Sequence, residues 1–144
     1  MAQGDLTWFQ EAKAGMADWG WEAADDIRVA LITNAVVPTA ADSTPALTDY
    51  TEVTPGGNYS AGGISIGNWG TCVSQTGGAA KIASATNPSW AKNAANPTNA
   101  YYAIVYNYTD GGKGALAFVD LGGAFNMTTG ALTITWDAAG LASW

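Results

Sequence analysis

The chain has no histidine, a single cysteine, and only 12 acidic and five basic side chains in 144 residues. Each shortage removes a class of function. Histidine is the side chain that titrates near neutrality and the commonest metal ligand. Without it there is no Ser-His-Asp or Cys-His nucleophilic site, and zinc chemistry loses its usual ligand. One cysteine, Cys72, allows neither an internal disulfide nor a paired-thiol motif, and it reads as a buried structural thiol. The five cations, Lys13, Arg28, Lys81, Lys92 and Lys113, are scattered in a chain of net charge −7. Nucleic acids and anionic membrane surfaces are polyanionic and call for clustered Lys and Arg, so neither is expected as a partner. No apolar run reaches the roughly 18–20 residues of a membrane span. The opening Met-Ala-Gln-Gly-Asp-Leu has neither the basic start nor the apolar stretch of a secretory leader, so none is expected.

What is present is packing material. Hydrophobic residues make up 48% of the chain, with seven Trp and six Tyr among 18 Gly. The length suits one domain with a real core. Charge is unevenly placed: nine of the 12 acids lie in residues 1–52, and between Val53 and Thr109 there is no Asp or Glu and only two Lys. A free surface is generally studded with both signs of charge. Interface cores, by contrast, are depleted in charge and enriched in aromatics.

The first segment predicts a helix. Thr7 and Gln10 have the spacing of a capping box. Trp8, Ala12, Met16 and Trp19 then recur along one helical face, with Gly20 as the stop. Trp8, Phe9, Trp19 and Trp21 make this segment either a cover for the core or an arm for a neighbour. From Ile27 to Thr33 the β-branched run predicts a strand. Residues 34–49 read as loop, Thr51-Glu52-Val53 and Ile64-Ser65-Ile66 as short strands. Two more strands are expected at 71–75 and 80–84 around Gly77-Gly78, then a long loop at 86–99 anchored by Trp90. Tyr101 to Tyr108 is a strand with aromatics on both faces, and Thr109 to Lys113 a hairpin loop whose glycines supply positive φ. Ala115 to Leu121 returns as a strand broken by Gly122-Gly123. Leu132, Ile134 and Trp136 alternate with Thr133 and Thr135, the mark of a half-buried strand. The expected fold is all-β: an antiparallel β-sandwich or barrel of about seven short strands. A short N-terminal helix or arm over 1–24 precedes the single domain over 25–144.

Constellations for chemistry are thin. Asp25-Asp26 reads as a solvated turn, and Asp110, Asp120 and Asp137 are isolated. Calcium requires oxygens at close spacing, which no segment offers. The glycine pairs lack the strand–Gly–Lys–Ser/Thr–helix context of a phosphate loop. Three Asn-X-Ser/Thr triplets, at Asn58, Asn107 and Asn126, read as chance matches in an Asn- and Thr-rich chain. No catalytic residue, metal or cofactor is expected. The aromatics remain, as fillers of a core or interface or as platforms for sugar rings, for which Trp69, Trp90, Tyr101 and Tyr108 qualify.

The order of phrases resembles a known family. DIRVALIT (Asp26 to Thr33), DYTEV (Asp49 to Val53) and NYSAGGI (Asn58 to Ile64) are followed by YYAIVY (Tyr101 to Tyr106), GALAFVDLG (Gly114 to Gly122) and GALTITWD (Gly130 to Asp137). This is similar to the small β-rich virion structural proteins of tailed bacteriophages. The resemblance implies a non-enzymatic decoration, or cement, protein on the outer capsid surface, assembled in the host cytoplasm. It implies the major capsid protein as partner, together with copies of itself, trimers being common among such proteins. A tail component and a carbohydrate-binding β-sandwich module are the alternatives. The contacts are expected at Trp8, Phe9, Trp19 and Trp21 and in the charge-poor loops around Tyr59, Trp69 and Trp90.

Overall fold

The computed structural model describes residues 6–10, 22–76, 79–82, 86–136 and 142–143. Its frame is an open five-stranded antiparallel sheet. The strands are β1 (Thr7–Trp8), β2 (Asp26–Ile32), β3 (Ile64–Asn68), β7 (Ala100–Asn107) and β8 (Ala115–Phe125), in the order β1-β8-β7-β2-β3. A second sheet joins β4 (Val73–Thr76), β5 (Ala79–Ile82) and β10 (Ala142–Ser143). A third pairs β6 (Ser89–Trp90) with β9 (Leu132–Thr133). The all-β, antiparallel class expected from the sequence is what the chain adopts, without closure into a barrel.

The central strands β2, β7 and β8 are apolar on both faces because both faces are covered. In register, Val29, Val105 and Ala117 point one way, and Ala30, Ile104 and Phe118 the other. All six are buried. An antiparallel sheet with one wet face alternates apolar and polar residues; a sheet covered on both sides reads as a continuous apolar run, as in Val-Ala-Leu-Ile and Ala-Leu-Ala-Phe-Val here. Phe9 stacks on Tyr50, with ring centroids 6.3 Å apart, and packs tilted against Phe118 at 5.3 Å. Leu132, Ile134 and Trp136 enter the same core while Thr133 and Thr135 stay exposed, the alternation their spacing predicts.

Several expectations need correction. Thr7 and Trp8 form an edge strand rather than a helix start: they pair with Phe118 and Ala117, and the Phe9 N–H donates to the Leu116 carbonyl at 3.1 Å. Edge pairing satisfies their backbone groups directly, and tertiary context overrides a weak local capping signal. This part of the expected arm is thus built into the main sheet. The remainder, with Trp19 and Trp21, lies outside the described residues. Trp69–Cys72 is a helical turn between β3 and β4, where strand or loop was expected. Gly122-Gly123 does not end β8. The strand runs on to Phe125, opposite Ala100, with the extra residues taken up in a bulge between the Ala100 and Tyr102 pairings. In the β7–β8 hairpin the positive φ falls on Lys113, at 54°, and not on the glycines.

One glycine is required by close approach. Gly63 has φ 71°, and a Cβ there would lie 1.9 Å from the Val29 carbonyl oxygen. Only glycine lets the chain enter β3 so near β2.

Candidate functional site

The aromatic anchors expected from the sequence separate into two groups. Phe9, Tyr59 and Trp90 are core residues. Their rings have no surface to offer a partner, which removes them from the set of surface anchors. Trp8 and Trp69 are half-buried, packed against that core. Tyr59 shows why a loop tyrosine is drawn inside. Its hydroxyl accepts the Leu31 N–H at 3.0 Å and donates to Glu52 Oε1 at 2.5 Å, while the ring leans on Trp90 with centroids 6.0 Å apart. Glu52 Oε1 also accepts the Gly62 N–H at 2.6 Å, and the Tyr106 hydroxyl donates to the Gly62 carbonyl at 2.7 Å. Burial, reinforced for Tyr59 by the Glu52 carboxylate, pushes both phenols well above their ordinary pKa. They stay neutral and structural.

The register of the main sheet gives it two ends of opposite character. One end collects the start of β2, the end of β7 and the start of β8. It is dense in charge. The Arg28 Nε donates to Asp26 Oδ2 at 2.7 Å, and Ser65 Oγ donates to the other oxygen of Asp26 at 2.5 Å. The Arg28 guanidinium lies 3.6 Å from the centre of the Tyr108 ring and the Lys113 ammonium 4.0 Å from it. Buried Asn107 donates to Asp25 Oδ2 at 2.7 Å and accepts the backbone N–H groups of Thr109 and Asp110. Asp110 in turn accepts the Gly114 N–H. Tyr108, 38% exposed, is therefore a ring flanked by cations, not a free platform for a sugar.

The other end collects the end of β2, the start of β7 and the end of β8, where Ile32 faces Tyr102 and Glu52, and Ala100 faces Phe125. Four segments emerge there: 33–37 (TNAVV), 53–57 (VTPGG), 95–101 (ANPTNAY) and 121–126 (LGGAFN). None contains a charged residue. Two carboxylates pair into this end of the sheet and both are hydrogen-bonded: Glu52, opposite Ile32, accepts from Tyr59, and Asp120, opposite Tyr102, accepts the Gly122 N–H through Oδ1 at 2.8 Å. Lys92 stands at the margin, in the loop between β6 and β7.

This uncharged end is braced from within. Asn96 is buried; its Oδ1 accepts the Asn58 N–H at 2.7 Å, and its amide donates to the carbonyls of Ala91 and Met127 at 2.8 and 3.2 Å. A Cβ on Gly56 would fall 2.5 Å from the Ala95 carbonyl oxygen, and one on Gly57 2.3 Å from Asn96 Oδ1. The two loops thus meet backbone to backbone. Between them lies a groove of about 330 Å³ lined by Thr54, Pro55, Ala95, Asn96, Pro97, Thr98 and Asn99. The side chains of Thr54, Thr98 and Asn99 make no hydrogen bond among the described residues. The turn leaving β2 carries Val36 and Val37, 45% and 53% exposed.

Such a surface has neutral hydrogen-bonding groups, two exposed apolar side chains and rigid walls. It can adhere; it has no group to transfer a proton or hold a phosphate. Among the described residues no cluster of three or more His, Cys, Asp or Glu is placed to hold a metal ion, and no helix is long and apolar enough to cross a membrane. The acid-free run from Val53 to Thr109 was the sequence signal for part of this end. Val36, Val37 and the convergence of the four segments carry no local signal. No protein-family model, no curated protein and no solved structure matches the chain.

Proposed function

We propose that the protein is a non-enzymatic structural protein of a tailed-bacteriophage virion, a decoration protein that stabilises the head by binding across joints between major capsid protein subunits. The observation that carries this reading is the β body with one end whose emerging segments, 33–37, 53–57, 95–101 and 121–126, carry no charge. Burying an unpaired charge costs several kcal/mol, so these are the segments that protein can cover at least cost. The resemblance of the strand-and-glycine phrases to small virion proteins supports the choice of a phage head as the setting. A cement protein requires no titrating group. It adds buried area across a joint, and an interface of about 1,600 Å² holds specifically. Binding only the assembled state stabilises that state by mass action, and many repeated sites resist opening together.

The test is a comparison of particles assembled with and without the gene for this chain. Quantitative mass spectrometry is expected to count hundreds of copies on complete heads, and heads lacking the protein are expected to rupture at lower temperature. A handful of copies confined to the tail, or particles unchanged in composition and heat resistance, would overturn the assignment.

A further inference from the structure

We propose that the Asp110–Gly111 bond, at the tip of the β7–β8 hairpin, is a self-modification site. The Gly111 backbone nitrogen attacks the Asp110 side-chain carboxyl carbon, a cyclic imide forms, and its hydrolysis leaves isoaspartate in the chain. The inference is independent of the virion reading.

The sequence singles out this bond. Attack by the next residue's backbone nitrogen closes a five-membered ring, and a side chain on that next residue obstructs the closure. Asp110 is the only Asp or Asn in the chain that glycine follows. A second glycine, Gly112, adds the backbone freedom that ring closure requires.

The fold leaves both reacting groups available. Asp110, Gly111 and Gly112 are exposed, at a loop tip of the kind where the backbone is least protected. A Cβ on Gly111 would meet nothing within 4 Å, and the Gly111 N–H makes no hydrogen bond among the described residues. The nucleophile is neither covered nor committed. The Asp110 carboxylate folds over the turn that follows it. Its Oδ2 accepts the Gly114 N–H at 3.3 Å and lies 3.2 Å from the point a Gly112 Cβ would occupy. That long bond is the only one holding this side chain among the described residues, and it draws electron density from the carbon under attack. Asp42, which precedes Ser43, is the contrast. Its Oδ1 accepts the Thr39 hydroxyl at 2.5 Å, and its Oδ2 accepts the Thr39 N–H at 3.1 Å and the Tyr50 hydroxyl at 2.7 Å. Three bonds fix that carboxylate where it is.

The chemistry requires only water. A bond forms between the Gly111 nitrogen and Asp110 Cγ, and one Cγ–O bond breaks. The departing oxygen, protonated by solvent, takes the amide proton and leaves as water. Water then adds to one of the two imide carbonyls. Opening at Cγ restores aspartate. Opening at the main-chain carbonyl carbon routes the chain through Cβ and Cγ and frees the old main-chain carbonyl as a carboxylate. That carbonyl accepts the Lys113 N–H at 3.0 Å, so isoaspartate removes the closing hydrogen bond of the turn that sets Lys113 over the Tyr108 ring.

The test is storage of the full chain in neutral buffer at physiological temperature, sampled over weeks. Peptide mapping with electron-transfer fragmentation distinguishes isoaspartate from aspartate. Isoaspartate is expected at Asp110 at least an order of magnitude ahead of every other Asp and Asn, Asp42 included, preceded by a species one water lighter. Gly111→Ala, which places a Cβ in open space, and Asp110→Glu, whose side chain must close a larger ring, are each expected to slow modification at this bond by at least an order of magnitude. Both sites are exposed, and unchanged near-ultraviolet circular dichroism verifies folding. Absence of isoaspartate at Asp110, faster modification at another residue, or undiminished accumulation in Gly111→Ala would each overturn the proposal. No readout involves a phage head, so the virion reading stands or falls separately.

Discussion

The two ends of the central sheet use different physics to stay folded. The charged end is held mostly by polar contacts at or near the surface, Asp26 with Arg28 and Ser65 and Tyr108 between Arg28 and Lys113, with buried Asn107 holding Asp25 beneath them. The uncharged end is held from inside, by Tyr59 against Leu31, Glu52 and Trp90, and by Asn96 across three loops. Charge at the first end can be solvated and screened, and each exposed pair contributes little. The second end places its hydrogen bonds in the interior, where breaking one leaves a buried group unsatisfied. Its outer surface is thereby free of structural duty. An end stabilised from within can expose neutral groups for contact; an end stabilised by its own surface has spent them.

The contrast gives an order of expected effects. Tyr59→Ala is expected to be the most damaging, removing a buried aromatic and three contacts of the brace, at a cost of about 3–5 kcal/mol in unfolding free energy by urea denaturation. Tyr59→Phe, which keeps the ring, is expected to cost about 1–3 kcal/mol, because the Glu52 carboxylate then loses a donor. If both variants unfold like the wild type, the internal brace is not what holds the uncharged end. Asn96→Ala is expected to cost about 1–3 kcal/mol, chiefly by leaving the Asn58 N–H without its acceptor, since the Ala91 and Met127 carbonyls keep the Asn58 side-chain amide and the Asn93 N–H.

Alkaline pH sharpens the same comparison. Burial, with hydrogen bonds to Asp42 and Glu52 respectively, raises the pKa of Tyr50 and Tyr59, and burial likewise raises that of Tyr106. A group whose pKa is higher folded than unfolded contributes stability that is complete below the unfolded value, about 10 for a phenol, and lost as pH rises above it. Stability is therefore expected to hold to about pH 10 and then fall. Ionisation of these tyrosines, followed by the absorbance of the phenolate, should coincide with unfolding. Ionisation of Tyr50, Tyr59 and Tyr106 while the protein is still folded would contradict their burial. The smallest effect is expected at the charged end. Arg28→Gln removes one ion pair and one cation–ring contact and should cost no more than about 1 kcal/mol, diminishing as salt rises.

Much of this frame was legible in the sequence, and particular residues explain where legibility stops. Ile27 to Thr33, Tyr101 to Tyr108 and Ala115 to Leu121 announce strands because β-branched and aromatic runs suit a pleated sheet covered on both sides. The Leu132–Ile134–Trp136 alternation survives as burial even beyond the two paired residues of β9. Thr7–Trp8 was read as a helix start because a capping box is a local pattern, whereas pairing with Phe118 and Ala117 joins residues more than a hundred apart. Tyr59 and Trp90 looked like loop anchors for a partner. What buries them is a hydrogen bond from the Leu31 N–H to Tyr59 and the tilted packing of the two rings on each other, and neither is encoded near either residue. The uncharged end was half visible. Its acid-free stretch could be counted, but the addition of 33–37 and 121–126 depends on strand order, which no window of sequence contains.

The claim that matters most is that the uncharged end is the adhesive one. Hydrogen–deuterium exchange on the full chain, compared between the free protein and the protein bound to phage heads, tests it directly. Added protection on binding is expected within 33–37, 53–57 and 95–99, with exchange across 107–114 unchanged. Protection appearing instead across 107–114, or no change on binding in any of these segments, would contradict the account.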